Sequence, residues 1–236
     1  MIAVILNSGI GSRMGELTAN RPKCMVELQP GTTILSRQID TLLANGIEKF
    51  VITTGHMADA LQGYLTAQYS SVDIDYVHNP DYRQTNYIVS LFNSIGVTRD
   101  DVLLLHGDLV FSDAAAKAVI QSESSSVAVD TTLPLPEKDF KARLSPGGKV
   151  REIGVNIFGE DCMACQPFYR LFKKDWLLWQ RSIEDFCSRG IANVYAENAL
   201  NAIAGSLDLF GLDLKGKLCM EVDNTDDLNY IRTKLG

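Results

Sequence analysis

Residues 2–15 read IAVILNSGIGSRMG. The first five residues are apolar, which predicts a buried β-strand. The glycine-rich residues that follow predict a loop whose backbone N–H groups can closely approach a bound anion. We call residues 7–15 the glycine loop. Because an α/β protein binds ligands at the carboxyl ends of its parallel strands, this loop is a candidate ligand site.

The first half of the chain alternates between strand and helix patterns. Apolar β-rich runs recur at 49–54, 72–78, 101–106 and 125–131. One helical face begins after the candidate cap Thr33 and ends at Gly46, and further helical patterns lie at 57–69, 86–95 and 112–122. Strands that alternate with helices predict a mostly parallel sheet in a three-layer α/β/α, Rossmann-like fold.

The pattern changes after residue 135. The Pro146-Gly147-Gly148 turn predicts a hairpin between strands at 140–145 and 149–153. Helical patterns follow at 173–188 and 196–204, strands at 207–212 and 218–222, and a last helix from Thr225. Since no repeat or linker interrupts these elements, we expect a single domain over residues 1–236.

Composition excludes several classes of partner. The formal net charge of −7 argues against nucleic acid or an anionic membrane as the main partner. No apolar run approaches the roughly 20 residues of a membrane span, and the first residues lack the basic flank of a signal peptide. We therefore expect a cytoplasmic protein.

The five cysteines form no regular framework. Cys162 and Cys165 make a single C-x-x-C motif, for which zinc binding or redox chemistry is the alternative interpretation. Since a second ligand pair is missing and the three histidines are scattered at strand ends or loops, reduced structural thiols are the expectation.

The glycine loop fits neither common phosphate-binding motif. A dinucleotide fingerprint would need glycine where Met14 stands, which also disfavours a Rossmann dehydrogenase, and a P-loop would need a Gly-Lys-Ser/Thr sequence. A plain tight turn is the structural alternative. Arg13 and Lys23 favour anion binding, because Arg as a fork and Lys as a point charge can together hold a triphosphate.

The stretch from Leu6 to Lys23 resembles the opening motif of the nucleotidyltransferase family with the sugar-nucleotide pyrophosphorylase fold. That family usually has L-A-A-G-x-G-x-R-L…T…P-K, and in this chain Asn7 and Ser8 replace the two alanines. The resemblance implies a GT-A-like sheet, with residues 1–135 binding the nucleotide and 136–236 supplying an acceptor-side β/α insertion and a second metal ligand. It also implies an enzyme that transfers a nucleoside monophosphate from an NTP to a phosphorylated acceptor. The implied nucleotide contacts in this motif are Leu6, Asn7, Ser8, Gly9, Gly11, Ser12, Arg13 and Lys23, and the last two are also implied catalytic residues.

Two aspartates stand at the ends of predicted strands. Asp108 follows Gly107 at the end of the 101–106 strand, and Asp223 ends the 218–222 strand. Taken alone, each fits a turn residue or a helix cap. The resemblance implies that both are catalytic and bind Mg²⁺, a cation that prefers such hard oxygen ligands.

Residues 79–91 carry the pattern N-x-x-Y-x-x-x-N-x-x-x-S-L, which resembles the phosphocholine and 2-aminoethylphosphonate cytidylyltransferase branch. Residues 195–198, Tyr-Ala-Glu-Asn, resemble another segment of that branch. The branch implies CTP as donor, a small phosphorylated or phosphonate amine as acceptor, and no nucleic acid or membrane partner. The implied contacts are Asn86 and Ser90 for the nucleotide, and Tyr87, Tyr195, Glu197 and Asn198 for the acceptor.

A cationic headgroup needs a carboxylate or aromatic faces, which these acceptor residues offer. For Glu197 the alternative is a solvated carboxylate at a helix start. For Phe168, Trp176 and Trp179 core packing is the favoured interpretation.

Two rival functions remain open. One is a sugar-1-phosphate nucleotidyltransferase that uses UTP, GTP or dTTP. The other is a non-catalytic regulatory module on the same fold, which the presence of Arg13, Lys23, Asp108 and Asp223 disfavours.

Overall fold

A computed structural model of the chain describes residues 1–235, which form thirteen strands and seven α-helices. The strands are β1 (Ile2–Asn7), β2 (Glu27–Gln29), β3 (Thr32–Thr33), β4 (Lys49–Thr54), β5 (Asp73–His78), β6 (Val102–His106), β7 (Leu109–Phe111), β8 (Ser125–Asp130), β9 (Lys141–Leu144), β10 (Val150–Gly154), β11 (Cys162–Leu171), β12 (Leu209–Asp213) and β13 (Cys219–Glu221). The helices are α1 (Ile34–Ala44), α2 (Ala58–Gln68), α3 (Tyr87–Ser94), α4 (Asp113–Ile120), α5 (Lys173–Ser188), α6 (Ala196–Asn201) and α7 (Thr225–Leu235).

A nine-stranded sheet forms the centre of the molecule. Its N-terminal half is parallel throughout, because β1 pairs with β4 and β6, and β4 pairs with β5. β8 and β12 form another parallel pair, and the antiparallel strand β11 joins β8 to β6. The predicted α/β fold is therefore confirmed. The division at residue 135 stays a prediction, and strands from both sides of it pair within this one sheet.

Side chains of β1 alternate between the two faces of the sheet, as the pleat requires. Ile2 and Val4 belong to the hydrophobic cluster that contains Trp176 and Trp179, whereas Ile5 packs in a second cluster with helix α1. The sheet therefore lies between two apolar layers. Phe168, Trp176 and Trp179 are fully buried, which confirms their packing role.

The longest strand was not predicted from the sequence. β11 contains Pro167, which cannot donate a ladder hydrogen bond and normally argues against a central strand. The strand accommodates it with an irregularity in register between Cys165 and Tyr169. Cys162 and Cys165 both lie on β11 as buried, free thiols, in agreement with a structural role.

Other predicted elements match the structure closely. The β9–β10 hairpin closes where Ser145 N donates to Lys149 O at 2.8 Å, and Thr33 caps α1 by accepting from Ser36 N. No helix within residues 1–235 is both long and apolar enough to cross a membrane.

The turn after β6 lies directly against the end of β1. Gly107 N donates to Leu6 O at 3.0 Å. A Cβ atom at Gly107 would lie only 1.8 Å from Asn7 Oδ1 and 2.8 Å from Leu6 O. Gln38 Nε2 fixes the same turn by donating to His106 O at 2.9 Å and to Leu109 O at 2.7 Å. This close approach places Asp108 beside the glycine loop.

We expect Gly107→Ala to lower the free energy of unfolding by about 1–3 kcal/mol, because the new methyl group overpacks the strand end. Gly63→Ala is the matched control: Gly63 is exposed in α2, and no atom lies within 4 Å of its added Cβ. That change should be neutral or stabilising by up to about 1 kcal/mol. Urea titration measures both, and equal stability of the two variants would contradict the close-approach argument.

Candidate active site

An open cleft with two lobes lies at the carboxyl ends of β1 and β6. The first lobe has a volume of about 280 Å³ and the second about 240 Å³. Both are lined by Tyr87, His106 and Asp108, so the lobes meet at these three residues. The first lobe is also lined by Leu6, Ser8, Gly9, Asn79, Tyr82 and Asn86. The second lobe is also lined by Arg13, Asp139, Phe140, Tyr195, Glu221 and Asp223.

Lys23 bridges two of the carboxylates that line the cleft. Its Nζ donates to Asp108 Oδ2 at 2.6 Å and to Asp223 Oδ1 at 2.7 Å. Arg13 Nη1 lies 2.7 Å from the other oxygen of Asp223. The structure therefore brings together the four residues that the sequence nominated for catalysis, and their catalytic roles stay a prediction.

The charges in this cluster stabilise one another. Burial opposes the charge on Lys23, but Asp108 and Asp223 outweigh it and raise the pKa of the ammonium above its ordinary value. Burial likewise opposes ionisation of Asp108, but Lys23 and His106 lower the pKa of this carboxyl below its ordinary value. Lys23 and Asp108 are therefore both charged at neutral pH.

The local fold of the glycine loop places Lys23. Gly11 has a positive φ of 71°, and a Cβ atom there would lie 2.8 Å from Lys23 Cβ. Thr18 Oγ1 donates to Gly11 O at 3.0 Å and ties the loop to the short helical turn Ser12–Thr18. Position 11 therefore requires glycine, because its φ is positive and because the side chain of Lys23 leaves no room for a Cβ atom.

Two polar atoms, one in the glycine loop and one in the turn after β6, have no hydrogen-bond partner within the described residues. They are Asp108 Oδ1 and Asn7 Nδ2, and both are buried. Such atoms are costly unless a ligand or a solvent molecule satisfies them. One carboxylate oxygen of Asp108 thus has no partner in the protein, whereas the other accepts from Lys23.

Ser90 supports the first lobe from behind. It is fully buried, and its Oγ lies 2.7 Å from Ser8 Oγ and 3.1 Å from Asn79 Nδ2. Ser8 and Asn79 line the lobe, whereas Ser90 orients them. Asn86 also lines it and caps α3 by accepting from Tyr87 N at 2.8 Å. Sequence reasoning did not assign a role to Asn79, although it begins the pattern at 79–91.

Aromatic rings form one wall of the second lobe. Tyr87 lies 5.9 Å from Tyr195 and 4.8 Å from His106 between ring centroids, and Phe140 lies 5.1 Å from Tyr195. Carboxylates line the same lobe at Asp139, Glu221 and Asp223. Aromatic faces and carboxylates together are the groups that bind organic cations.

Glu197 lies behind this wall. It is 2% exposed, so the alternative of a solvated helix-start carboxylate is wrong. Its Oε1 accepts from Tyr169 OH at 2.7 Å and its Oε2 accepts from Tyr87 OH. Burial and the charge of Glu197 raise the pKa of both phenols, which therefore stay protonated and donate. Glu197 thus orients Tyr87 and is not among the residues lining the second lobe, and Asn198 is exposed outside it.

Sequence reasoning missed His106 and Glu221. His106 Nδ1 lies 2.9 Å from Glu221 Oε1 at the point where the lobes meet. Burial alone would lower the pKa of His106, but Glu221, Asp108 and Glu197 raise it to about 9. Burial and Asp108 raise the pKa of Glu221. Their positions in the sequence could have indicated a place in the site, because His106 ends the strand before Gly107-Asp108 and Glu221 ends β13.

Comparison with known proteins links this cleft to a family. The family profile described as Nucleotidyl transferase matches residues 2–141. The chain is 34% identical over 132 residues to a CMP-5'-(3-aminopropyl)phosphonate synthase of Streptomyces rubellomurinus, and this match covers 56% of the chain and 21% of that relative. It is 25% identical to a CTP:phosphoglutamine cytidylyltransferase of Campylobacter jejuni, over 97% of the chain and 98% of that relative.

A solved structure confirms the architecture. The inositol-1-phosphate CTP transferase from T. maritima superposes with a TM-score of 0.79 at 20% identity, covering 99% of this chain and 95% of that one. At this level of identity the likeness concerns the fold.

The raised pKa of His106 predicts a pH-dependent contribution to stability. Because the folded value of about 9 lies above the ordinary 6.5, the contribution is complete below pH 6.5 and is lost as the pH rises through 9. We expect the pH-dependent part of the stability difference between wild type and His106→Asn to reach about 3 kcal/mol. Urea titrations across this pH range measure it.

Glu221→Gln is the control for this prediction, because it removes the main charge that raises the pKa of His106. When His106→Asn is introduced into the Glu221→Gln variant, the resulting change in stability should depend only weakly on pH. A difference between wild type and His106→Asn that stays constant over the whole range would refute the assignment.

Proposed function

The chain belongs to the nucleotidyl transferase family, and from this premise we propose that it transfers CMP from CTP to a small acceptor that carries an amine and a phosphate or phosphonate group. Pyrophosphate is the second product. The observation that carries the proposal is the two-lobed cleft, whose lobes meet at Asp108 between the glycine loop and the aromatic wall.

The first lobe suits a nucleotide. It lies on the glycine loop, and Ser8, Asn79 and Asn86 are among the polar residues that line it. Arg13 and Lys23 stand beside it as the cations that a triphosphate requires. Similarity to enzymes named for CMP and CTP chemistry supports cytidine as the base.

The second lobe suits an amine-bearing acceptor. Tyr87, Tyr195 and Phe140 offer ring faces, and Asp139 and Glu221 offer negative charge. A cation–π contact contributes about 0.5–2 kcal/mol, depending on how far water is excluded. Glu197 contributes through Tyr87, whose hydroxyl it holds. The likeness to a relative named CMP-5'-(3-aminopropyl)phosphonate synthase supports an amine acceptor of this kind.

The proposed reaction needs no covalent enzyme intermediate. A phosphate or phosphonate oxygen of the acceptor attacks the α-phosphorus of CTP in line, and the bond from that phosphorus to the pyrophosphate oxygen breaks. Since the second pKa of a phosphomonoester is about 6, the attacking oxygen is already anionic near neutral pH and needs no general base. The barrier is mainly repulsion between anions, which Lys23 and Arg13 reduce by turning from the carboxylates to the phosphates.

Magnesium fits this site. Asp108 Oδ1 is buried without a partner, and Lys23 draws Asp108 and Asp223 to the same point. We assign these two carboxylates to Mg²⁺, which supplies positive charge to the phosphate oxygens when it is bound.

The function is tested by pyrophosphate release over a matrix of nucleotides and acceptors. The nucleotides are CTP, UTP, GTP and dTTP, and the acceptors are phosphocholine, 2-aminoethylphosphonate, phosphoethanolamine and glucose 1-phosphate. We expect CTP with an amine-bearing acceptor to exceed every other combination by about a hundredfold in kcat/KM. Asp108→Asn serves as the inactive control.

Turnover of UTP with glucose 1-phosphate, and none with amine-bearing acceptors, would replace this proposal with the sugar-phosphate activity. No turnover in any combination, with the protein folded, would favour a regulatory module.

We expect catalysis to require a lysine at position 23, and not only a positive charge. Lys23→Ala removes charge-assisted contacts of about 1.5–3 kcal/mol, so kcat/KM should fall about 10- to 150-fold. Lys23→Arg should recover only part of the loss, because a planar fork cannot replace a compact ammonium between two carboxylates. The matched control is Lys117→Ala, which removes an exposed ion pair with Asp113 on α4 and should leave kcat/KM within about twofold. Unchanged kinetics in Lys23→Ala would refute the role of Lys23 in holding the triphosphate.

A further inference from the structure

We propose that Lys141 is a positioning residue for the acceptor, because its buried ammonium fixes residues 133–139 at the second lobe. We call these residues the acceptor segment. The inference rests on the proposed function, in which the acceptor binds in the second lobe. The segment lies between β8 and β9, and its residues Lys138 and Asp139 line that lobe together with the adjacent Phe140. Lys141 begins β9 and is not among the lining residues.

The acceptor segment depends on one side chain for its hydrogen bonds. It forms neither helix nor strand, and within the described chain it makes two hydrogen bonds, both donated by Lys141. Lys141 Nζ donates to Pro136 O at 2.6 Å and to Asp139 O at 3.0 Å. Two carbonyl groups three residues apart therefore converge on one ammonium, which holds the backbone on both sides of Lys138.

The ammonium of Lys141 is buried at a cost. The residue is 0% exposed, and none of the carboxylates in residues 1–235 forms an ion pair with it. Burial lowers the pKa of Lys141 below its ordinary value. An apolar side chain of the same length would avoid this cost, but it would leave the two carbonyl groups of the segment without a partner. The hydrogen bonds to the segment are therefore what a lysine supplies at this position.

Phe158 also contacts the ammonium, since its ring centroid lies 4.3 Å from Lys141 Nζ. It belongs to the connection between β10 and β11, in which Val155 lines the second lobe. Arg143 holds this connection, because its Nη2 donates to Phe158 O at 3.4 Å and its Nη1 pairs with Asp161 at 2.7 Å. One ammonium thus links two segments of the second lobe, whereas its contacts include no residue that lines the first.

The kinetic test uses the nucleotide and acceptor that the pyrophosphate-release matrix selects, whichever pair that is. Lys141→Met keeps the length of the side chain and removes its donors. We expect the KM for the acceptor to rise about tenfold or more, while kcat and the KM for the nucleotide stay within about twofold. Phe158→Ala, at a residue that is 54% exposed, should raise the acceptor KM about threefold. Lys49→Met, the control, removes ion pairs with Asp73 and Asp75 at the amino end of β4 and should change no constant.

A second measurement needs no turnover. A glutamate-specific endoproteinase can cut after Glu137 in the acceptor segment and after Glu123 before β8, and both residues are exposed. We expect cleavage after Glu137 to be about tenfold faster in Lys141→Met than in wild type, with cleavage after Glu123 unchanged. If no nucleotide and acceptor pair is turned over, the proposed function fails, whereas faster cleavage after Glu137 still supports the role of Lys141 in fixing the segment.

Three results would overturn the inference. The first is equal cleavage after Glu137 in wild type and folded Lys141→Met. The second is a KM for the nucleotide that rises as much as the KM for the acceptor. The third applies if Lys141→Met does not fold, and it is a Phe158→Ala variant in which both the acceptor KM and the cleavage after Glu137 are unchanged.

Discussion

A single ammonium group connects the parts of the site. Lys23 lies 85 residues from Asp108 and 200 residues from Asp223 along the chain, yet its Nζ contacts both carboxylates. Two carboxylates this close in a partly buried cleft repel each other strongly unless a cation lies between them. The segment that carries Lys23, the turn after β6 and the segment after β13 are therefore fixed relative to one another by one three-way ion pair.

The same ion pair gives the cleft a balanced resting state. Lys23 and Arg13 neutralise carboxylates while no phosphate is present, so neither sign of charge is left buried alone. In the proposed reaction a triphosphate takes these cations, and Asp108 and Asp223 would then hold Mg²⁺, which would supply positive charge in their place. Each charge then exchanges one partner for another, which avoids the cost of leaving a carboxylate unpaired in the cleft.

Local signals in the sequence predicted most of the fold and several of the residues that line the cleft. β1 and the glycine loop were predictable because adjacent residues in the sequence, the apolar run and the glycines of residues 2–15, are enough to indicate them. β11 was not predicted, because Pro167 argues against a central strand. The structure accommodates this proline where the register of β11 is irregular. The burial of Glu197 was not predicted, because its partners Tyr169 and Tyr87 lie 28 and 110 residues away. His106 likewise gains its partner Glu221 only through the meeting of β6 and β13, which no local pattern encodes.

The most direct test of this account is a crystal structure with a CTP analogue whose oxygen between the α- and β-phosphorus atoms is replaced by a methylene group. The account predicts cytosine in the first lobe, phosphates along the glycine loop, and Lys23 or Arg13 moved from a carboxylate to a phosphate oxygen. Nucleotide bound outside the first lobe, with Lys23 still bridging Asp108 and Asp223, would contradict it.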